Sequence, residues 1–182
     1  MDDNPSNFKQ CGDNCPVEQV SWDDAQRFID KLNKKEEGRR YRLPTEAQWE
    51  YAARAGSGSA FANGKITEVG NRHDPMLDAM GWYYANSGKK THSVAQKDPN
   101  AWGLFDMHGN VWEWCADWYG ASPKGGEDPA GPSSGSNLRV FRGGSWNLPA
   151  LLCRSASRAK GVPGSGGYHV GFRLVLLPAK PG

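Results

Sequence analysis

RLPTEAQWEYAARAG, residues 42–56, contains the start and stop signals of one short helix. Pro44 disfavours helical backbone in the residue before it, so the helix begins after this point. Thr45, followed three residues later by Gln48, has the pattern of a capping box, in which each side chain binds the backbone N–H of the other residue. Gly56 favours the helix end. The apolar residues between these signals lie on more than one side of the helix, which predicts several packing neighbours.

The segment upstream predicts a second helix of the same design. Ser21 and Asp24 have capping-box spacing, and Val20 stands at the position of a hydrophobic staple. Gly38 ends the pattern. The apolar residues that recur at helical spacing are Ala25, Phe28, Ile29 and Leu32. One amphipathic helix is therefore expected between Ser21 and Gly38.

The chain downstream of Gly56 is rich in turn-forming residues. Gly, Asn, Asp, Pro and Ser recur throughout it and favour turns over long elements. Short β-prone pieces occur at residues 139–143 and 170–177, and residues 127–137 have the composition of a surface loop. No internal repeat or domain boundary is evident, so one domain over residues 1–182 is predicted. Its fold class is α+β, with two helices early, short irregular strands and long loops.

The composition disfavours several classes of partner. The 182 residues carry a formal charge of +2, from 22 basic and 20 acidic side chains that are interspersed. This balance provides no extended positive surface for nucleic acid or an anionic membrane. No apolar run approaches the roughly 20 residues that cross a bilayer, and the first residues lack the apolar region of a signal peptide. The chain is expected to be soluble, and its compartment is left open.

Five motifs follow one another in an order and spacing that resemble a known family. Within residues 16–176 they are VSWDDAQRF, RLPTEAQWEYAARAG, WGLFDMHGNVWEWCADWY, RVFRGGSW and GFRLV. Together they resemble the formylglycine-generating-enzyme (sulfatase-modifying factor) domain. The resemblance implies a variant of the C-type-lectin fold. It also implies that the strands with which family domains usually begin are missing from this chain.

One position departs from the family pattern where its chemistry takes place. Catalytic members of the resembled family have two cysteines after the RGGS motif, which bind copper as thiolates and oxidise a substrate cysteine to formylglycine with oxygen. Here the later position is Cys153 and the earlier one is Leu148. Copper(I) held between two soft sulfur donors needs both of them, and leucine offers no lone pair. Copper is therefore not expected, and Cys153 is interpreted as a small buried residue.

The alternative is an enzyme that works with the remaining thiol. It would be a copper- and oxygen-dependent formylglycine-generating oxidase, or a related thiol oxidase, with Cys153 as its catalytic residue. The apolar residues around Leu148 include nothing that replaces the missing sulfur. The enzyme hypothesis would therefore require a further ligand from elsewhere in the fold.

The segment DMHGNVWE, residues 106–113, carries oxygen donors of the kind that calcium prefers. Asp106 and Glu113 bracket a glycine turn, and the carbonyls of Gly109 and Val111 lie between them in sequence. The resemblance implies a structural calcium ion at these four residues. The alternative is that the two carboxylates bind backbone groups of the loop without any ion. A second family site would use Asn86, but its acidic partner segment is shortened here.

The remaining cysteines and the histidines give weaker signals. Cys11 and Cys15 have the spacing of a small disulfide loop or half of a metal site, and no further cysteine or histidine pair accompanies them. Cys115 lies among aromatic residues and is interpreted as core. The four histidines show no catalytic or metal-binding arrangement. Disulfide pairing is left open.

The stretch between RGGSW and GFRLV is the candidate ligand-binding window, defined as residues 146–170. It shows little helix or strand periodicity, and loops on a rigid scaffold commonly carry recognition. In the resembled fold this stretch lies at the ligand-facing surface. Its candidate contact residues are Trp146, Asn147, Leu148, Leu151, Leu152, Ser155, Ser157, Val162, Ser165, Tyr168 and His169. An ordinary glycine-rich loop over core leucines is the alternative.

The window also resembles the variable proteins of diversity-generating retroelements, in which error-prone copying alters adenine-containing codons, chiefly the asparagine codon AAC. Such changes yield Leu, Ser, Gly, Ala, Val, Tyr, His and Pro, and most of residues 147–170 belong to this set. The main prediction is therefore a non-catalytic module that binds a protein or another surface ligand. Oligomeric state and ligand identity are left open.

Overall fold

The computed structural model describes residues 4–122, 125–132 and 136–178. Residues 133–135 of the predicted surface loop lie outside the described residues. No helix in the described part is long and apolar enough to span a bilayer. The α-helices and strands of the described residues are α1 (Trp22–Lys35), β1 (Tyr41–Arg42), α2 (Glu46–Arg54), α3 (Pro75–Met80), β2 (Trp112–Trp118), β3 (Arg139–Arg142), β4 (Arg158–Gly161), β5 (Val170–Gly171) and β6 (Val175–Leu176). Two short 3-10 helices cover Lys9–Cys11 and Ala150–Cys153.

The two predicted helices are confirmed together with their caps. The Asp24 N–H donates to Ser21 Oγ (3.0 Å), and the Ser21 N–H donates to Asp24 Oδ2 (3.1 Å). Thr45 and Gln48 make the same reciprocal pair at the start of α2. The sequence placed the end of α2 at Gly56. In the structure the helix is capped one position earlier, at Ala55, whose backbone is left-handed. Local capping chemistry therefore determines these elements.

The four-stranded sheet has the order β4-β3-β2-β5. β2 pairs antiparallel with β3 and parallel with β5, while β1 and β6 form a separate antiparallel pair. The predicted strand at 139–143 is confirmed as β3, and the β-prone run at 170–177 divides into β5 and β6. β2, one of the two inner strands, was missed although WEWCADW alternates, with tryptophans and Ala116 on one face and Glu113, Cys115 and Asp117 on the other. Both faces of this strand are mostly buried.

Three apolar clusters form the core, and two of them pack the sheet against the helices. The first joins α1 to β2 and β3, and the second joins α2 to the same two strands. The third packs Ala150 and Cys153 of the window against Phe61, Leu77 and Tyr83. The beginning of the window therefore rests on a packed core, which limits its movement.

Candidate functional site

The turn before the window depends on two glycines. Gly143 and Gly144 adopt left-handed backbone, with φ of 101° and 78°. A Cβ on Gly144 would lie 2.5 Å from Cys153 Sγ, and a Cβ on Gly143 would lie 3.0 Å from the Trp49 ring. A side chain at Gly144 is therefore excluded both by strain and by the sulfur. This close approach encloses the cysteine behind the turn.

The Cys153 thiol is buried and poorly suited to act as a ligand or nucleophile. Its side chain is 0% exposed, and the nearest polar partner of Sγ is the Ser145 carbonyl oxygen at 4.0 Å. Burial raises the pKa of Cys153 to about 12, because the thiolate loses its hydration. Leu148 is half-buried and packs against the same cluster. At neutral pH this site presents a thiol surrounded by apolar groups, and the thiolate is the reactive form of cysteine.

Because both free cysteines are buried, we expect a thiol reagent to modify them only after the protein is unfolded. We expect iodoacetamide to leave Cys115 and Cys153 unmodified in the native protein near neutral pH, because both are buried and both have a raised pKa. In denaturant both should react fully. Peptide mass spectrometry after each treatment measures the modified fraction, and rapid native labelling of Cys153 would contradict its burial.

His108 fixes the backbone of Cys153 from the other side. Its Nδ1 donates to the Cys153 carbonyl (2.9 Å), and its Nε2 accepts the Ala62 N–H (3.2 Å). This pairing requires the neutral imidazole with its proton on Nδ1. Burial lowers the pKa of His108 to about 4. The histidine therefore has a structural position beneath the window.

Arg142 is a site-forming residue that the sequence analysis missed. It ends β3, is 0% exposed, and donates to the carbonyls of Ser157 (2.5 Å) and Ser155 (2.9 Å). Its guanidinium also forms an ion pair with Glu50 and lies 3.6 Å from Glu46. The sequence signal was a charged residue in an otherwise buried strand. These bonds attach the middle of the window to α2.

Part of the predicted contact set lies on the surface. Leu151 and Leu152 are 40% and 41% exposed, Val162 is 51% exposed and Tyr168 is 49% exposed. Ser165 is also exposed. Such large apolar side chains in solvent mark a recognition surface more often when they are grouped than when they are scattered. We call these five residues the exposed set.

The other predicted contacts are less accessible. Asn147, Leu148 and His169 are half-buried. The side chains of Trp146, Ser155 and Ser157 are buried, so a ligand on this surface does not reach them in this conformation. The burial of these side chains depends on tertiary packing, which the sequence periodicity of the window does not reveal. The exposed set is therefore the most accessible part of the prediction.

Trp146 has a different position from the one predicted, between two aromatic neighbours. Its ring centroid lies 5.4 Å from that of Phe8 and 5.9 Å from that of Tyr168. Its Nε1 donates to the Tyr168 carbonyl (3.1 Å). The tryptophan thus supports the exposed Tyr168 ring from below and joins both ends of the window.

The four predicted calcium ligands line one cavity of about 410 Å³. Asp106 Oδ2 accepts the Ala95 N–H (2.8 Å), whereas Oδ1 is buried and has no hydrogen-bond partner in the part of the chain that the structure describes. Burial raises the pKa of Asp106, and the negative charge of Glu113 raises it further. An orphaned carboxylate oxygen in a cavity is a position that a cation would satisfy.

Glu113 already has protein partners. Arg173 Nη2 donates to its Oε1 (2.6 Å), and Trp49 Nε1 donates to its Oε2 (2.6 Å). Arg173, from the GFRLV motif, was also missed by the sequence analysis. Among the described residues, no group of three His, Cys, Asp or Glu side chains is placed to hold a metal ion. A calcium ion here would depend on backbone carbonyls and compete with Arg173 for Glu113.

Comparison with known proteins decides the family. A family model described as sulfatase-modifying factor enzyme 1-like domain matches residues 1–177. The chain belongs to this family. It is 38% identical over 173 residues to the formylglycine-generating enzyme of Streptomyces coelicolor, covering 88% of this chain and 52% of that protein. The chain thus spans about half the length of the curated relatives it matches first.

Two further relatives of this sulfatase-modifying-factor domain bear on its function. Variable protein 1 of Treponema denticola superposes with a TM-score of 0.83 and 33% identity, covering 96% of this chain and 77% of that one. A mouse protein named inactive C-alpha-formylglycine-generating enzyme 2 is 32% identical over 179 residues, covering 91% of this chain and 50% of that protein. The predicted family and fold class are confirmed, and family membership alone does not decide catalysis.

Proposed function

We propose that this domain is a non-catalytic ligand-binding module that presents the exposed set to a protein or another surface ligand. The observation that carries the proposal is the difference in solvent exposure between neighbouring residues of the window. Leu151 and Leu152 are exposed, while Cys153 next to them is fully buried. The position that would supply chemistry therefore packs into the core, and its neighbours face solvent.

The framework beneath the window suits a display role. Arg142 binds the window through two carbonyls, His108 binds it through a third, and Trp146 supports Tyr168. A rigid support reduces the entropy lost when a surface binds. The exposed set combines one amphipathic ring, three aliphatic side chains and a serine, a composition that suits protein recognition.

The similarity to a protein named variable protein 1 supports a narrower form of the proposal, in which this domain is a retroelement-diversified variable protein. Sequencing the gene locus tests it. We expect a near-identical repeat of the window, differing at adenines, and a neighbouring reverse-transcriptase gene. A locus without both features would reject the retroelement form and leave ligand binding to be tested by itself.

The stability of variants in the exposed set tests whether these side chains are free of structural duties, as the display role requires. Replacing Leu151, Leu152, Val162 and Tyr168 together by serine should lower the free energy of unfolding by less than about 1 kcal/mol per substitution, because these side chains are at least two-fifths exposed. Ala150→Ser, at a buried position in the same segment, is the matched control and should cost more. Urea denaturation measures both. A large loss of stability in the quadruple variant would assign these residues to the core.

The second candidate is a copper- and oxygen-dependent formylglycine-generating oxidase, or a related thiol oxidase. The observation that favours it is the 38% identity with an enzyme of that name. The buried thiol of Cys153 and the alkyl side chain of Leu148 oppose it, because copper(I) prefers soft donors and would find one inaccessible sulfur. Binding therefore remains the main proposal.

We also propose that calcium stabilises the fold at the cavity of Asp106, Gly109, Val111 and Glu113. The orphaned Oδ1 of Asp106 supports this assignment. Calcium at about 100 times its Kd should raise the free energy of unfolding by about 2.7 kcal/mol relative to chelator. Melting with calcium and with chelator measures the shift. Asp106→Asn should remove it, Asp30→Asn on the exposed face of α1 should retain it, and no shift in the wild type would contradict the site.

A further inference from the structure

Two exposed aromatic rings form a pair near the end of α2. Tyr51 is 69% exposed and Trp102 is 48% exposed, and their ring centroids are 4.8 Å apart at an interplanar angle of 63°. The buried Asn100 holds Trp102 against the helix, because its Oδ1 accepts the Trp102 N–H (3.0 Å) and its Nδ2 donates to the Ala52 carbonyl (2.7 Å). Tyrosine and tryptophan rings that are fixed in solvent are typical of surfaces that bind a protein partner.

The exposed Tyr51 ring also lines a cavity of about 670 Å³ between α2 and residues 125–132. We call this cavity the α2 cleft. Its apolar lining residues include Ala47, Pro129, Ala130 and Pro132, and none of the exposed set of the window lines it. A cavity of this size has room for one long side chain together with its neighbours in an extended segment.

Three carboxylates that line the α2 cleft already have partners in the fold. Glu46 forms an ion pair with Arg158 (2.5 Å), and Glu50 forms one with Arg54 (2.7 Å). Both oxygens of Asp117 accept backbone N–H groups. These carboxylates therefore contribute to the walls of the cleft and not to the binding of a further cation.

Asp128 differs, because it forms no ion pair with any cation among the residues that the structure describes. The Gln48 Nε2 donates to both of its oxygens (3.1 Å each), while the Gln48 Oε1 accepts the Thr45 N–H (3.2 Å). A neutral amide thus fixes the exposed carboxylate without cancelling its charge. Gln48 and Tyr51 are three residues apart on α2, so their side chains are neighbours on the helix surface. The structure therefore places an uncompensated carboxylate beside the exposed Tyr51 ring.

We propose that the α2 cleft binds an arginine side chain of a partner protein, with Asp128 as its carboxylate acceptor and the Tyr51 ring stacked on its guanidinium. Each Asp128 oxygen has a second lone pair besides the one that accepts from Gln48. A guanidinium donates in parallel to a carboxylate and also stacks on an aromatic face, which a lysine ammonium does less well. The apolar lining suits apolar neighbours of that arginine. The exposed Glu127 adds negative charge to the same wall, which favours a cationic partner.

Titration with three short peptides, followed by backbone NMR, tests the site. The first peptide is acetylated and amidated ALRLA, and the other two replace its arginine by lysine or by citrulline, whose neutral urea has nearly the shape of a guanidinium. We expect the shifts to saturate and to be largest at residues 46–54, 100–104 and 125–132. The arginine peptide should bind about tenfold more tightly than the citrulline peptide, and more tightly than the lysine peptide.

Asp128→Asn should weaken binding of the arginine peptide about tenfold and leave binding of the citrulline peptide nearly unchanged. Tyr51→Ala should weaken the arginine peptide several-fold and leave the melting temperature near that of the wild type, because the ring is mostly exposed. The matched controls are Asp30→Asn on α1 and Tyr168→Ala in the window, and both should stay within about twofold of the wild type. Equal binding of the three peptides, shifts centred outside the α2 cleft, or equal effects of Asp128→Asn and Asp30→Asn would overturn the proposal.

Discussion

Arg142→Ala is expected to lower the free energy of unfolding by about 4 kcal/mol, because it breaks a buried ion pair and leaves buried carbonyls without donors. The lost partners are Glu50 and the carbonyls of Ser155 and Ser157. Arg142 is fully buried, so water does not replace these bonds without a rearrangement. We expect the middle of the window to lose its fixed position at the same time.

Urea denaturation of Arg142→Ala measures the stability change, and hydrogen exchange at residues 153–158 measures the local one. Arg154→Ala is the matched control, since Arg154 donates within the window itself, to the Leu151 carbonyl at 2.7 Å. It should cost less than about 1 kcal/mol. Similar losses in the two variants would mean that Arg142 does not hold the window in place.

The pH dependence of stability should contain a large contribution from His108. The pKa of this histidine is about 4 in the folded protein and 6.5 ordinarily. Below about pH 6.5 His108 is protonated in the unfolded chain, whereas in the folded protein it stays neutral until about pH 4. Stability from this residue is therefore complete above pH 6.5 and is lost as the pH falls, by about 3 kcal/mol in total.

Unfolding of wild type and His108→Gln, measured between neutral pH and about pH 4, isolates this contribution. The raised pKa of Glu18 acts in the opposite direction, so the difference between the two proteins is the informative quantity. The difference in free energy of unfolding between wild type and His108→Gln should become smaller as the pH falls. His73→Gln, whose histidine side chain is 66% exposed, should follow the wild type. Parallel curves for wild type and His108→Gln would contradict a neutral buried imidazole.

The sequence predicted the elements whose signals are local. Ser21 with Asp24, and Thr45 with Gln48, define helix starts because the capping bonds join residues three apart. β2 escaped prediction because it lies in the part of the chain after Gly56 whose turn-forming residues favoured loops. α3 escaped as well, although Asp74 and Pro75 form a valid start, because the helix is short and surrounded by turn residues.

The candidate site was predictable in outline and not in detail. The window could be located between two motifs, but the burial of Ser155 and Ser157 depends on Arg142, which is distant in sequence. Likewise, the ion pair between Glu113 and Arg173 joins residues on different strands and loops, so the calcium motif alone did not reveal it. Long-range pairing is set by topology, and a single sequence encodes it only indirectly.

Under the proposed function, this member of the sulfatase-modifying-factor family recognises ligands without oxidising thiols. Oxygen consumption and aldehyde formation, measured with copper(I) and a cysteine-containing peptide, test that claim most directly. With Leu148 in place of a sulfur ligand and Cys153 buried, we predict rates at background and no stoichiometric copper. Copper bound through Cys153, with turnover of the peptide to formylglycine, would contradict the account.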